Sequence, residues 1–178
     1  MKDTHNQIIK GALEVFLEKG FLQATTQEIA KKANVAEITL FRKFKTKQDL
    51  FEFTIQSIIS DTFDSSDMSE AYKQDEYHFY RSLLKNRLEV IHYHQALFKL
   101  IISESIREHL PKELQFTEVI YKQLRTLLDY HYIYHHEQAD TYLKARIIAG
   151  LLLSEVILPT NHQPLEYLES YIQLLIKT

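Results

Sequence analysis

Side chains that can contact DNA lie close together in EITLFRK, residues 37–43. Arg42 can donate two hydrogen bonds to a guanine edge. Thr39 can offer its methyl group to a thymine and its hydroxyl to a base or a phosphate. Lys43 adds a second positive charge, which suits the DNA backbone. This combination on a short helix predicts recognition of double-stranded DNA, whereas the alternative for Arg42 and Lys43 is an ordinary solvated helix face.

The preceding residues predict the helices that position these groups. Thr25 and Glu28 have the spacing of a capping box, in which both side chains satisfy free backbone N–H groups at a helix start. Asn34 tolerates the left-handed conformation that ends a helix. Two short helices joined this tightly, with positive charges on the second, are typical of a helix-turn-helix. Thr25 and Thr26 also suit a DNA phosphate, because a helix start carries partial positive charge, although a plain N-cap is the alternative.

The predicted recognition helix spans residues 36–43. Lys47 stands near the start of the following helix, where a cation opposes the helix dipole unless an anion is bound, so we expect it to contact phosphate. The side chains expected to face inward are Ile38, Leu40 and Phe44. The predicted DNA-binding residues are Thr25, Thr26, Glu37, Thr39, Phe41, Arg42, Lys43 and Lys47.

This stretch resembles the N-terminal signature of the TetR family of bacterial transcriptional regulators over roughly residues 8–53. The family more often has a tyrosine at the position of Phe41, so the contact here is expected to be apolar. It often has serine at the position of Ala36 and a small residue at that of Ile38. The residues that carry the resemblance are Gly20, Phe21, Thr25, Thr26, Ile29, Ala30, Val35, Thr39, Leu40, Phe41, Phe44, Lys47 and Leu50.

The composition of the chain predicts an all-α fold. Its 178 residues include only 3 Gly and 3 Pro, which favours helices throughout. We expect an N-terminal three-helix DNA-binding domain, residues 1–50, followed by a helical ligand-binding and dimerisation domain, residues 51–178. The net charge is -3, but residues 1–52 hold 9 Lys and Arg against 7 Asp and Glu. The basic surplus therefore lies with the predicted helix-turn-helix.

Several classes of protein are disfavoured because the sequence lacks the features they need. There is no cysteine, which excludes disulfides and Cys-ligated zinc. The N-terminal residues lack the apolar stretch of a signal peptide, and the longest apolar run, residues 147–153, is far shorter than the ~20 residues that a membrane span needs. We therefore expect a soluble, cytoplasmic protein without a membrane partner.

The last two helices are the predicted dimer interface. Residues 147–153 are apolar on all sides, and such a helix must be buried on all sides, with one side facing the core and the other a second subunit. The resemblance adds that family members usually pair through their last two helices, and a purely internal core is the alternative. The predicted interface residues are Ile148, Leu151, Leu152, Glu155, Leu168, Ile172 and Leu175.

Two clusters contain the residue types of a metal site. Asp61, Asp64 and Asp67 lie in the predicted loop 61–75, which lacks the glycine and terminal glutamate of an EF-hand. His131 and His135 are four residues apart after a predicted helix over 112–130, and no carboxylate at a familiar spacing completes a ligand set. We predict a solvated loop, a polar surface turn that extends to His136, and no metal, cofactor or catalytic residue.

The resemblance implies a homodimeric regulator, a repressor that a small-molecule effector releases from a palindromic operator. A ligand-independent DNA-binding module that recruits a protein partner through its C-terminal domain is the main alternative. An enzyme is disfavoured, since no Gly-rich phosphate loop or nucleophile elbow is present. The sequence assigns no pocket residues, and an accessible apolar cavity in the second domain would favour the effector hypothesis.

Overall fold

The computed structural model describes residues 2–63, 68, 70–158 and 165–177. No β-strand occurs in these ranges, and the predicted all-α fold is confirmed. Two short 3-10 turns, Ala71–Lys73 and Lys112–Leu114, lie ahead of α5 and α7. The α-helices are α1 (Lys2–Gln23), α2 (Thr26–Lys32), α3 (Glu37–Lys43), α4 (Lys47–Phe63), α5 (Glu76–Tyr93), α6 (Gln95–Ile106), α7 (Phe116–Tyr134), α8 (Thr141–Ile157) and α9 (Leu168–Lys177).

Contacts between residues divide the chain into two units. The first comprises residues 1–63 and 100–115, and the second comprises residues 64–99 and 116–178. This division differs from the predicted domain boundary at residue 50. Leu50, Phe51 and Ile55 of α4 are completely buried, and this helix lies within the first unit.

Aromatic side chains form much of the core of the first unit. The ring of Phe51 lies 4.8 Å from that of Phe16 and 4.9 Å from that of Phe21. Close backbone packing joins α1 to the end of α2 at Gly11. A Cβ atom at Gly11 would stand 2.8 Å from the backbone nitrogen of Ala33, so only glycine allows this approach.

Among the described residues, three helices are followed by a residue in the left-handed conformation. These residues are Asn34 after α2, Glu108 after α6 and His136 after α7, with φ values of 55°, 59° and 56°. After each, the next N–H reaches the carbonyl five positions earlier, as from Val35 to Ala30 at 3.0 Å. This pattern is the Schellman motif, and it confirms Asn34 as the end of the first helix of the predicted helix-turn-helix.

The second unit contains α5, α7, α8 and α9, whose apolar faces form its core. The helix α7 continues to Tyr134, beyond the predicted end at residue 130. The prediction of a polar surface turn was wrong for its first residues, because His131 is 1% exposed and Tyr132 is 5% exposed. Burial of these two amphipathic side chains favours continuation of the helix.

The predicted acidic loop is only partly described. The helix α4 continues through Asp61 to Phe63, while Asp64 and Asp67 lie outside the described residues.

Within the described ranges, no group of three His, Asp or Glu side chains is placed to hold a metal ion. The same ranges contain no helix with the length and apolar character needed to cross a membrane.

Candidate nucleic-acid interface

Local hydrogen bonds fix the start of α2 as predicted. The Glu28 N–H donates to Thr25 Oγ1 at 3.2 Å, and the Thr25 N–H donates to Glu28 Oε2 at 3.3 Å. These two bonds form a complete capping box. The helix α3 begins after Ala36, which contributes no side-chain cap. The helix-turn-helix therefore has the predicted boundaries to within one residue.

The outward face of α3 combines apolar and positively charged side chains. Leu40 is completely buried and Phe44 is 5% exposed, as predicted. Ile38 was predicted to face inward, which is wrong, since 78% of its surface is exposed. It lies four residues before the exposed Arg42, and this spacing places both on the same side of the helix. Phe41, 46% exposed, lies beside them.

Three cations accompany this face, and their surroundings differ. Arg42 and Lys45 are exposed, whereas Lys43 is half-buried. In the part of the chain that the structure describes, no carboxylate forms an ion pair with any of the three. Their charges are therefore available to an external anion. Thr39 is half-buried beside them on α3.

Thr26 and Glu37 bind each other. The Thr26 hydroxyl donates to Glu37 Oε1 at 2.6 Å, which ties the start of α2 to the start of α3. Both side chains are half-buried. Sequence reasoning assigned each of them to DNA, and it missed this contact because the residues are eleven positions apart. In this arrangement they link the two helices of the helix-turn-helix.

Lys47 is placed differently from the expectation of a phosphate contact. Its Nζ donates to the carbonyl oxygens of Phe21, Leu22 and Ala24 at 2.9, 3.2 and 3.0 Å. It also lies 4.6 Å from the centre of the Phe21 ring. An ammonium group has three hydrogens, and three acceptors use all of them. Lys47 thus holds the segment that leads into α2.

Most of the predicted dimer residues are buried within this chain. Ile148, Leu152, Ile172 and Leu175 are completely buried, and Leu168 is 5% exposed. These five cannot form a surface that a second chain covers, because their own chain already removes them from solvent. Leu151 and Glu155 are half-buried, and Glu155 accepts a hydrogen bond from the Tyr171 hydroxyl at 3.3 Å.

The two histidines considered as metal ligands instead anchor the 3-10 turn ahead of α5. His131 Nδ1 lies 2.9 Å from the carbonyl oxygen of Tyr72, and His135 Nε2 lies 2.8 Å from that of Gln74. The His131 ring stacks on Phe79 with centroids 4.1 Å apart. Burial lowers the pKa of His131, because the surrounding side chains exclude the water that would solvate its cation.

Two cations that the sequence did not predict to be buried, Arg87 and Lys144, lie in the interior of the second unit. Burial lowers the pKa of Arg87 to about 10. It also lowers the pKa of Lys144, whose Nζ donates to the carbonyl oxygen of Leu175 at 2.6 Å. Lys144 thereby binds α8 to the last turns of α9. Lysine and arginine are rarely buried, so neither residue type nor helical spacing signals these positions.

A groove with a volume of ≈ 430 Å³ lies between α7 and α8. The hydroxyl of Tyr121 is buried there without a hydrogen-bond partner in the described residues. The Arg146 guanidinium donates to the Tyr142 hydroxyl at 2.9 Å. Beyond the adjacent residues and the backbone of α8, a Cβ atom at Gly150 would have no neighbour within 4 Å. The lining residues are Thr117, Glu118, Ile120, Tyr121, Tyr142, Arg146, Ala149, Gly150 and Leu153.

Comparison with known proteins supports the assignment of the N-terminal residues. Residues 8–53 match the family model described as "Bacterial regulatory proteins, tetR family". An uncharacterized HTH-type transcriptional regulator of Bacillus subtilis, YvkB, is 38% identical over 84 residues. This alignment covers 47% of the chain and 41% of YvkB, so it spans less than half of that relative.

Solved structures share the fold over almost the whole chain. One is a protein from Mesorhizobium loti assigned to the TetR family of transcriptional regulators, with a TM-score of 0.73 and 19% identity over 98% of this chain and 95% of that one. Another is FadR from Bacillus subtilis in complex with stearoyl-CoA, with a TM-score of 0.71 and 19% identity over 97% of each chain. The predicted resemblance is confirmed: residues 8–53 match the helix-turn-helix domain of the TetR family, and the chain shares the fold of these solved structures.

Proposed function

We propose that this chain binds a palindromic DNA operator as a homodimer and that a small-molecule effector releases it, which makes it a repressor. The observation that carries the proposal is the outward face of α3, where Ile38 and Arg42 project from the same side. Within the described residues, Arg42 forms no ion pair with a carboxylate. Two such helices on a twofold axis fit successive major grooves about 34–36 Å apart. The site of action would be the bacterial cytoplasm.

The contacts on α3 divide into base contacts and phosphate contacts. Arg42 suits a guanine edge, and Thr39 suits a thymine or a phosphate. Ile38 and Phe41 offer apolar surface to thymine methyl groups. Lys43 and the exposed Thr25 suit phosphates, as does Lys45 just beyond the helix. Thr26, Glu37 and Lys47 support these groups through the intramolecular bonds described above.

A dimer interface is proposed on the outward side of α8 rather than on its buried side. Leu143, Ile157 and Leu158 are 43%, 56% and 58% exposed, and Leu174 of α9 is 50% exposed. These apolar side chains gain from being covered by a second copy. We expect Leu143→Glu to give a folded monomer, whereas Leu152→Glu unfolds the chain because it buries a charge. Sedimentation and circular dichroism distinguish these results, and a dimeric Leu143→Glu variant would exclude this interface.

The groove between α7 and α8 is the proposed effector site. Its apolar and aromatic lining suits an acyl chain, and the Arg146 guanidinium suits a phosphate or carboxylate. FadR of Bacillus subtilis was solved with stearoyl-CoA, which makes an acyl thioester the first ligand to test. An effector can release DNA only by binding more tightly to the conformation that does not fit the operator.

Selection of binding sites from random duplex DNA tests the DNA-binding proposal. We expect the purified chain to enrich one palindrome. Arg42→Ala should weaken binding to that palindrome by ~1–3 kcal/mol and lose discrimination at one base position. Lys85→Ala removes the same charge from an exposed site on α5 and should bind normally. If the folded wild-type chain enriched no sequence, the proposal would be wrong.

Release of the selected operator tests the effector site. We expect stearoyl-CoA to release the DNA and coenzyme A alone to have no effect. Arg146→Ala removes the cation proposed to bind the phosphate groups of the ligand, so this variant should retain operator binding and need more stearoyl-CoA for release. A wild-type chain that ignores acyl thioesters while holding its operator would favour the alternative, a ligand-independent module that recruits a protein partner.

A further inference from the structure

A buried carboxylate lies in the first unit, outside the proposed DNA-contact surface. Glu104, near the end of α6, is 1% exposed. Its Oε1 accepts the backbone N–H of Phe21 at 3.2 Å, and its Oε2 lies 2.5 Å from His109 Nδ1. The Arg107 guanidinium is 3.5 Å from Oε1. A buried carboxylate is costly unless such donors satisfy it, so its position is tied to Phe21 and His109.

The backbone of α1 is shaped to receive this carboxylate. The helix breaks at Gly20, where φ is 72° and ψ is 175°. A side chain is disfavoured there by the backbone conformation, and a Cβ atom would also stand 3.2 Å from Glu104 Oε1. The break removes the Phe21 N–H from the regular helix pattern, and this is the N–H that the carboxylate accepts.

Residues 21–24, which follow the break, also bind the start of α4. Lys47 donates to the carbonyls within residues 21–24, as described above. The neighbouring Gln48 donates through Nε2 to the His109 carbonyl at 2.8 Å. The His109 ring lies 5.3 Å from the Phe21 ring. Glu104, His109 and Lys47 therefore contact residues 21–24, and Gln48 ties His109 to the start of α4.

These contacts lie next to both ends of the helix-turn-helix, at the start of α2 and just after the end of α3. Thr25, the N-cap of α2, directly follows residues 21–24, and Lys47 begins α4 shortly after α3 ends. We infer that Glu104 is a positioning residue for DNA binding: through Phe21 and His109 it fixes the orientation of α2 and α3. The inference rests on the proposed function, because orientation matters only if α3 contacts DNA.

Glu104→Gln tests this inference, with Glu113→Gln as the control that makes the same chemical change at an exposed site in the same unit. Glutamine keeps the size of the side chain but loses the charge that Phe21 N–H, His109 and Arg107 contact. We expect operator binding to weaken about tenfold, as for the loss of about one hydrogen bond, with an unchanged salt dependence because no phosphate contact is removed. If the wild-type chain binds its operator and Glu104→Gln binds it with the same affinity, the inference is overturned.

Amide hydrogen exchange on the full chain tests the positioning without DNA. We expect Glu104→Gln to accelerate exchange at Phe21 and in α2 and α3, while the amides of Ala12 and Phe16 in α1 keep their wild-type rates. Uniform acceleration through the first unit would mean general destabilisation and would overturn the inference, as would unchanged rates. If the wild-type chain selects no operator but exchange changes locally, the proposed function fails while the positioning of α2 and α3 stands.

Discussion

Leu40 is completely buried, whereas Ile38, two positions earlier on α3, is 78% exposed. Residues two apart on a helix point in widely different directions, so one serves the core and the other faces outward. An isoleucine with this exposure contributes little to folding. Its apolar side chain beside Arg42 supports the proposed contact with a thymine methyl group.

Alanine substitutions should separate these two roles. Leu40→Ala is expected to lower the free energy of unfolding by ~2–5 kcal/mol, because it leaves a cavity in the core. Ile38→Ala should change that free energy by no more than about 0.5 kcal/mol, as is usual for an exposed position. It should weaken operator binding by about 1 kcal/mol, mainly at sites that carry thymine. Urea unfolding and operator titrations measure the two quantities, and a strongly destabilised Ile38→Ala would place Ile38 in the core.

Lys47 and Lys43 should respond differently to removal of their charge. Lys47→Ala deprives three carbonyls of their donor and should lower the free energy of unfolding by ~1–3 kcal/mol. Lys43→Ala should leave stability nearly unchanged and flatten the salt dependence of DNA binding by about one unit. Thermal unfolding and affinities at several salt concentrations compare the variants. A stable Lys47→Ala with a flattened salt dependence would instead support a phosphate contact.

Two helical glycines should respond to alanine with opposite signs. Gly11→Ala places a methyl group 2.8 Å from the Ala33 nitrogen, so we expect destabilisation by ~1–3 kcal/mol. Gly150→Ala meets no atom within 4 Å and should stabilise the chain by ~0.5–1 kcal/mol through better helix propensity. Urea unfolding at one protein concentration measures both, since the proposed dimer would make stability depend on concentration. Equal effects at the two positions would contradict the packing at Gly11.

Stability should fall in mildly acidic solution because of His131. Burial lowers its pKa below the ordinary value of 6.5, so the unfolded chain binds a proton first as the pH falls through that value. The contribution of neutral His131 is therefore complete above about pH 6.5 and is lost progressively below it. His131→Asn should reduce the difference in urea midpoint between about pH 7.5 and 5.5. His136→Asn, at an exposed position, should keep the wild-type difference.

The sequence alone determined the helix-turn-helix because its signals are local. Thr25 and Glu28 cap α2 through bonds that span three residues, and Asn34 ends that helix through its own left-handed backbone. The all-α fold followed equally from composition and helical spacing. Helical spacing did not place Ile38, because a seven-residue helix offers too few positions to define one face.

Only the tertiary structure decided which partners the polar and apolar side chains have. Lys47 meets the Phe21 carbonyl 26 residues away, and Glu104 meets the Phe21 N–H across 83 residues. The covering partner of α8 was likewise decided by the tertiary structure. The sequence indicated that this helix is buried, and it is equally compatible with the core of one chain and with an interface between two. Helical periodicity identifies an apolar face, whereas the element that covers it depends on contacts between segments distant in sequence.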